Sequence, residues 1–230
     1  MKRNGMMDIT QWFKDYLAKN APCQCGGEDG AVLAAIDLYR ATGDEAFRAF
    51  ALEHGVCPSS HADQALFFLW AQTGEDNDRQ AIEQRMQQLR GTVPENGKML
   101  YAAGPFCMAY EMKCGGMEKV AAVVQMYKAP MQLDGWRLLA LADAIGWCRE
   151  ELYEHYRALV DLFRAELATV LQQEESAQAA CAVMKAVRLG VINPEKYLPI
   201  GKKLFEKLPL PGDEKAIGPY IRAYSEYLQA

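Results

Sequence analysis

Residues 97–110 read GKMLYAAGPFCMAY, and this stretch decides the fold. Its side chains are predominantly apolar over nearly four helical turns, which is typical of a helix buried on most sides. We predict a helix over Met99 to Met112, and the glycines at 115 and 116 separate it from a second helix over Met117 to Tyr127. The stretch is therefore the first half of a helical hairpin.

The same hairpin pattern recurs on both sides of this stretch, because densely apolar segments alternate with polar, amphipathic ones. The other predicted helices cover residues 9–17, 28–41, 45–54, 61–71, 78–90, 136–147, 150–172, 176–189, 194–208 and 214–228. This makes about twelve helices and no convincing strand, in repeats of roughly 35 to 40 residues. The aromatic residues of the first and last segments suit ends that meet. We therefore expect an all-α toroid of paired helices, forming one domain over residues 1–230.

Composition and charge exclude several classes of partner. The net charge of -5 is spread along the chain, and no basic run or basic amphipathic stretch is present to bind nucleic acid or an anionic membrane. No stretch approaches ~18 uninterrupted apolar residues, and no signal peptide is evident at the start. Seven cysteines, an odd number, fit a reducing compartment. We expect a cytoplasmic protein that binds neither nucleic acid nor membrane.

Six short strings resemble the unsaturated glycuronyl and rhamnogalacturonyl hydrolases of glycoside hydrolase families 88 and 105. They lie at residues 38–44 (LYRATGD), 69–74 (LWAQTG), 100–106 (LYAAGPF), 135–136 (GW), 190–197 (GVINPEKY) and 217–220 (IGPY). The resemblance implies an (α/α)6 barrel of six hairpins, in agreement with the helix count. It also implies that the loops preceding the inner helices are shorter here than in the family.

The resemblance further implies an activity, the hydrolysis of an unsaturated uronic acid from a pectin or glycosaminoglycan fragment. In that family an Asp hydrates the double bond of the sugar as a general acid and base, which requires a carboxyl whose pKa is raised by partial burial. Lys98 stands at the position of that Asp, and Gln132 stands at the position of an Arg that meets the uronate carboxylate. A glutamate-threonine-serine string of the family is reduced to Glu174, Glu175 and Ser176.

Polar residues at the starts of the inner helices are candidates to replace the acid and the Arg of the family. The starts of these helices gather at one mouth of a toroid, and their dipoles favour anions. The candidate catalytic acids are Asp134, Glu175, Asp63 and Asp29. The candidate substrate-binding residues are His61, Lys98, Tyr101, Trp136 and Arg137. The alternative reading of each acidic or hydroxyl side chain is an ordinary helix cap.

No metal or other cofactor is expected. Cys23 and Cys25 are separated by a single residue, which is shorter than the usual spacing of zinc ligands, and no second pair follows. The leading hypothesis is a protein that hydrolyses a small, uronic-acid-type carbohydrate with a displaced carboxylate or binds it without turnover. The alternative is a non-catalytic helical scaffold that binds a protein partner, and a homo-oligomer is also left open.

Overall fold

The computed structural model describes residues 8–19, 30–55, 63–148, 152–212 and 216–230. Within these ranges the chain forms twelve helices and no strand, as predicted. They are α1 Ile9–Lys19, α2 Ala31–Thr42, α3 Glu45–His54, α4 Ala65–Thr73, α5 Asp76–Leu89, α6 Gly97–Lys113, α7 Val120–Lys128, α8 Gly135–Trp147, α9 Tyr153–Gln173, α10 Ala177–Arg188, α11 Pro194–Lys207 and α12 Ile217–Gln229.

Most helix boundaries fall within a few residues of the predicted ones. One of the differences is at α7, which begins at Val120 rather than at Met117. Met117 has a positive φ of 67° and follows Gly116, which also has a positive φ, so both residues form the turn between α6 and α7.

The even-numbered helices form an inner ring. Helix α6 packs on α8, α8 on α10, α10 on α12, and α12 on α2, while α2 also packs on α4. Phe67 of α4 meets Phe106 of α6 with ring centroids 5.2 Å apart, which completes the circle. The expected meeting of the chain ends is also present, because the hydroxyls of Thr10 in α1 and Tyr224 in α12 lie 3.3 Å apart. The predicted (α/α)6 toroid is confirmed.

A charged cluster occupies the centre of the ring, and Arg222 of α12 is its hub. Its guanidinium donates to both carboxylate oxygens of Asp143 at 3.0 Å, to Asp37 at 2.7 Å and to the Tyr101 hydroxyl at 2.5 Å. Arg222 is only 3% exposed. A charge this deeply buried requires such paired partners.

Two further side chains complete this axial network. The Lys185 ammonium of α10 lies 2.6 Å from Asp143, and the Gln64 amide, just before α4, donates to Asp143 at 3.3 Å. Gln64 in turn accepts from the Trp147 indole at 3.2 Å. All six inner helices, or in one case the residue preceding the helix, therefore contribute a polar group to the axis.

Candidate active site

Side-chain caps define the starts of three neighbouring inner helices. Asn96 caps α6 by accepting from the Met99 amide at 3.0 Å, and Asp134 caps α8 by accepting from the Arg137 amide at 2.8 Å. Ser176 caps α10 in the same way. Each cap satisfies one of the backbone N–H groups that a helix leaves unpaired in its first turn.

Two of these caps also interlock the helices, because Asp134 and Ser176 each lie against the first residue of the preceding inner helix. A Cβ at Gly97, the first residue of α6, would overlap the Asp134 carboxyl, with Cγ only 2.8 Å away. A Cβ at Gly135, the first residue of α8, would lie 2.7 Å from both Ser176 Oγ and Glu174 Oε1. Glycine at both positions therefore permits the starts of α6, α8 and α10 to approach closely.

The surroundings of Asp134 raise the pKa of its carboxyl. Burial raises the pKa of its carboxyl, the hydrogen bond from the Arg137 amide works in the opposite direction, and the nearby Glu174 carboxylate raises the pKa further. Glu174 itself accepts from the Gly135 amide at 3.0 Å. Asp134 remains half-buried rather than fully enclosed. The carboxyl contacts Gly97, the residue that precedes Lys98 in the chain.

Two of the predicted binding residues form an aromatic pair near these helix starts. The rings of Tyr101 and Trp136 lie 4.9 Å apart at 51° to each other. Tyr101 is buried, and its hydroxyl accepts from Arg222, so it joins the start of α6 to the axial network. Trp136 is half-buried.

The remaining predicted residues have different surroundings. Arg137 is 4% exposed, and its guanidinium binds both carboxylate oxygens of Glu166 in α9 at 2.6 and 2.7 Å. It also donates to the Tyr127 carbonyl at 2.7 Å. Arg137 thus ties α8 to the outer helices. Lys98 is exposed.

The other candidate acids that the structure describes are both held in ion pairs. Glu175 is exposed and pairs with Lys207. Asp63 is buried, and its carboxylate lies 2.6 Å from Arg85 of α5. Burial raises the pKa of Asp63, although Arg85 opposes this effect. Asp29 and His61 lie outside the described residues, as do the cysteines at 23, 25 and 57.

Apart from Tyr101, sequence reasoning did not select the residues of the axial network, and it did not select Glu174 as a site residue. A signal for the network exists, since Asp37, Asp143 and Arg222 each stand between two apolar residues of an inner helix. A charged residue on such a helix requires a buried partner. The partners are as far apart as 185 positions in the chain, however, so the sequence does not identify them.

The (α/α)6 architecture is also found in solved structures that resemble this one. The structure is similar to a glycosyl hydrolase of family 88 from Bacteroides vulgatus, with a TM-score of 0.73 and 12% sequence identity over 94% of this chain and 95% of that chain. It is also similar to a polysaccharide lyase, with a TM-score of 0.58 and 12% identity over 88% of this chain and 89% of that chain. No protein-family model and no curated protein sequence matches. At these identities the likeness establishes a family 88-like fold.

The described residues contain neither a helix that could span a membrane nor a metal-binding cluster. None of these helices is both long enough and apolar enough to cross a membrane. No group of three or more His, Cys, Asp or Glu side chains in the same residues is arranged to hold a metal ion.

Proposed function

We propose that the protein is a glycoside hydrolase that acts on a small unsaturated uronic-acid carbohydrate, with Asp134 as a displaced general acid and base. One observation carries this proposal: the Asp134 carboxyl, whose pKa is raised, lies against Gly97, beside the Lys98 position where the family resemblance implies the acid. The neighbouring helix α8 thus supplies a carboxyl next to Lys98, which by the resemblance stands where the family has its acid. The printed names of the structural neighbours, a glycosyl hydrolase and a polysaccharide lyase, support carbohydrate as the ligand class.

The proposed reaction uses one carboxyl twice. A proton leaves the Asp134 carboxyl for the double bond of the sugar, water adds to the resulting cation, and the proton that water loses returns to the Asp134 carboxylate. The hemiketal formed in this way opens its ring, and the hemiacetal that results expels the second sugar as an alcohol, which breaks the glycosidic bond. A raised pKa suits both halves of this cycle, because the group must be protonated at the start and basic afterwards. Burial and the Glu174 carboxylate provide that shift.

Asp134 is preferred over the other candidate acids because of their partners. Glu175 and Asp63 form ion pairs with Lys207 and Arg85, so a substrate would have to displace a bound cation from either carboxylate. On the substrate side, the half-buried Trp136 side chain would stack against the sugar ring. The exposed Lys98 ammonium would bind the carboxylate of the sugar.

The direct test is hydrolysis of a panel of unsaturated disaccharides by the wild type and by Asp134→Asn. Asparagine is as good a helix cap as aspartate, so the variant keeps the start of α8 but cannot transfer the proton. We expect a loss of at least about 100-fold in kcat. Asp44→Asn is the matched control, since Asp44 caps α3 by accepting from the Ala46 amide. Equal activity of Asp134→Asn and Asp44→Asn would refute the role of Asp134.

Carbohydrate binding without turnover is the second candidate. It is favoured by Lys98 and Gln132, which replace the acid and the Arg that the family resemblance implies. This function predicts that unsaturated disaccharides raise the melting temperature of the wild type while none is hydrolysed. If neither hydrolysis nor a thermal shift occurs, both carbohydrate functions fail, and a protein-binding scaffold becomes the working hypothesis.

A further inference from the structure

A cavity of about 310 Å³ lies on the axial network, and the described residues that line it come mainly from the C-terminal halves of α2, α8, α10 and α12. The proposed catalytic residues are instead at the starts of α6 and α8. None of Lys98, Asp134 and Trp136 is among the residues that line this cavity. The cavity is therefore separate from the proposed catalytic residues, and its volume is that of a pocket for a small ligand.

The carboxylates of this cavity already have partners. Asp143 binds Arg222, Lys185 and Gln64, and Glu226 binds the Nε and Nη2 atoms of Arg188 at 2.7 and 2.6 Å. Burial alone would raise the pKa of Asp143, but the adjacent Arg222 and Lys185 hold it well below the usual range, so Asp143 stays ionised. The lining thus offers little acceptor capacity for a cationic ligand.

The cations of the lining, by contrast, exceed the carboxylates in number. Four of them, Arg40, Lys185, Arg188 and Arg222, face three carboxylates, those of Asp37, Asp143 and Glu226. Among the described residues, Arg40 uses only Nη1, with Asp37 at 3.3 Å, and the Nη1 group of Arg188 has no carboxylate partner. The Arg40 side chain is 50% exposed and lies over the Phe68 ring.

Basic residues in the last turn of a helix are common, since they complement the helix dipole. Here, however, those of α2 and α10 line one shared cavity whose other walls include the aromatic rings of Phe68 and Trp147. Guanidinium groups whose N–H donors are not all used can bind a carboxylate, and the aromatic rings can pack against a flat apolar body. The cations that line the cavity exceed the carboxylates by one positive charge, which favours a ligand with a single negative charge.

We propose that this cavity binds a small monocarboxylate with a flat apolar body, in a site separate from the mouth. The carboxylate contacts Arg40 and Arg188, and the body lies against Phe68 and Trp147. This inference does not depend on the proposed hydrolase function, because it involves different residues.

The test uses benzoate as the probe and benzamide, its neutral analogue of the same shape, as the control, in titrations by calorimetry and tryptophan fluorescence. We expect the wild type to bind benzoate and to bind benzamide at least about tenfold more weakly. Inorganic phosphate serves as a second control that has the charge but lacks the apolar body. Equal binding of benzoate and benzamide, binding of phosphate as tight as that of benzoate, or no binding of benzoate would overturn the proposal.

Two variants locate the site. Arg40→Gln removes a half-exposed cation and should weaken benzoate binding about tenfold, whereas Arg48→Gln, an exposed arginine of α3 outside the cavity, should not change it. Gly146 lines the cavity, and a Cβ there would make an ordinary contact with Lys185 Cε at 3.6 Å. Gly146→Leu should therefore fold, fill the space and abolish benzoate binding. Unchanged binding by a folded Gly146→Leu protein would contradict the assignment.

Discussion

At the scale of single residues, the centre of the toroid depends on Arg222. This guanidinium forms ion pairs with both Asp37 and Asp143, which face each other across the ring from α2 and α8. Burial by itself raises the pKa of both carboxyls, but Arg222 and Lys185 outweigh it and lower both values. The network is therefore ionised and mutually dependent, so loss of the hub leaves buried charges without their strongest partner.

Arg222→Met should consequently lower the free energy of unfolding by about 3–5 kcal/mol, measured by chemical denaturation. Arg157→Met provides the comparison, since Arg157 and Asp161 form an exposed pair on α9 at 3.5 Å. That control should change stability by no more than about 0.5 kcal/mol. Similar losses in the two variants would show that the axial network is not the stabilising unit described above.

A second prediction follows from the raised pKa of Asp134 and concerns how the stability of the folded protein changes with pH. Because the folded state binds the proton more tightly than the unfolded chain, ionisation disfavours folding, and stability falls as the pH rises from 3.8 through the raised pKa. Asp134→Asn has no such group. The stability of the variant relative to the wild type should therefore increase from acid to neutral pH, in denaturation curves measured across that range. A difference that stays constant or decreases would be inconsistent with a raised pKa.

At the scale of helices, the chain is organised by contacts between the start of one inner helix and the cap of the next. The sequence predicts the helices because periodicity and turn residues are local signals. It does not predict the direction of each side chain, and Arg137 illustrates why. Helix α8 is apolar around most of its circumference, so no polar face reveals that Arg137 turns towards Glu166 of α9.

Two glycine substitutions test this interlocking. Gly97→Ala should destabilise the protein by about 1–3 kcal/mol, because the new methyl group overlaps the Asp134 carboxyl. Gly146→Ala in α8 has room for its methyl group and should stabilise by up to about 1 kcal/mol, since alanine is the better helix former. Neither glycine has a positive φ, so backbone strain does not enter the comparison. Thermal unfolding of the two variants should give shifts of opposite sign, and shifts of the same sign would contradict the packing argument.

At the scale of the whole molecule, the sequence predicts a closed ring but not what fills it. The helix count, the alternation of buried and exposed helices and the meeting of the chain ends follow from patterns that a single sequence contains. The axial network joins residues 79 and 185 positions apart, and which helices become neighbours is set by ring closure rather than by any local pattern. Packing of the consecutive inner helices α6 and α8 brings the Asp134 carboxyl to Gly97.

The dependence of kcat/KM on pH, measured with an unsaturated disaccharide, tests the proposed role of Asp134 most directly. This profile reports the pKa of the acid in the free protein. We predict a rate that falls as the pH rises, with a midpoint above 3.8, the ordinary value for an aspartate, because Asp134 must be protonated to start the reaction. A descending limb at or below 3.8, or a rate that does not change with pH in this range, would contradict the account.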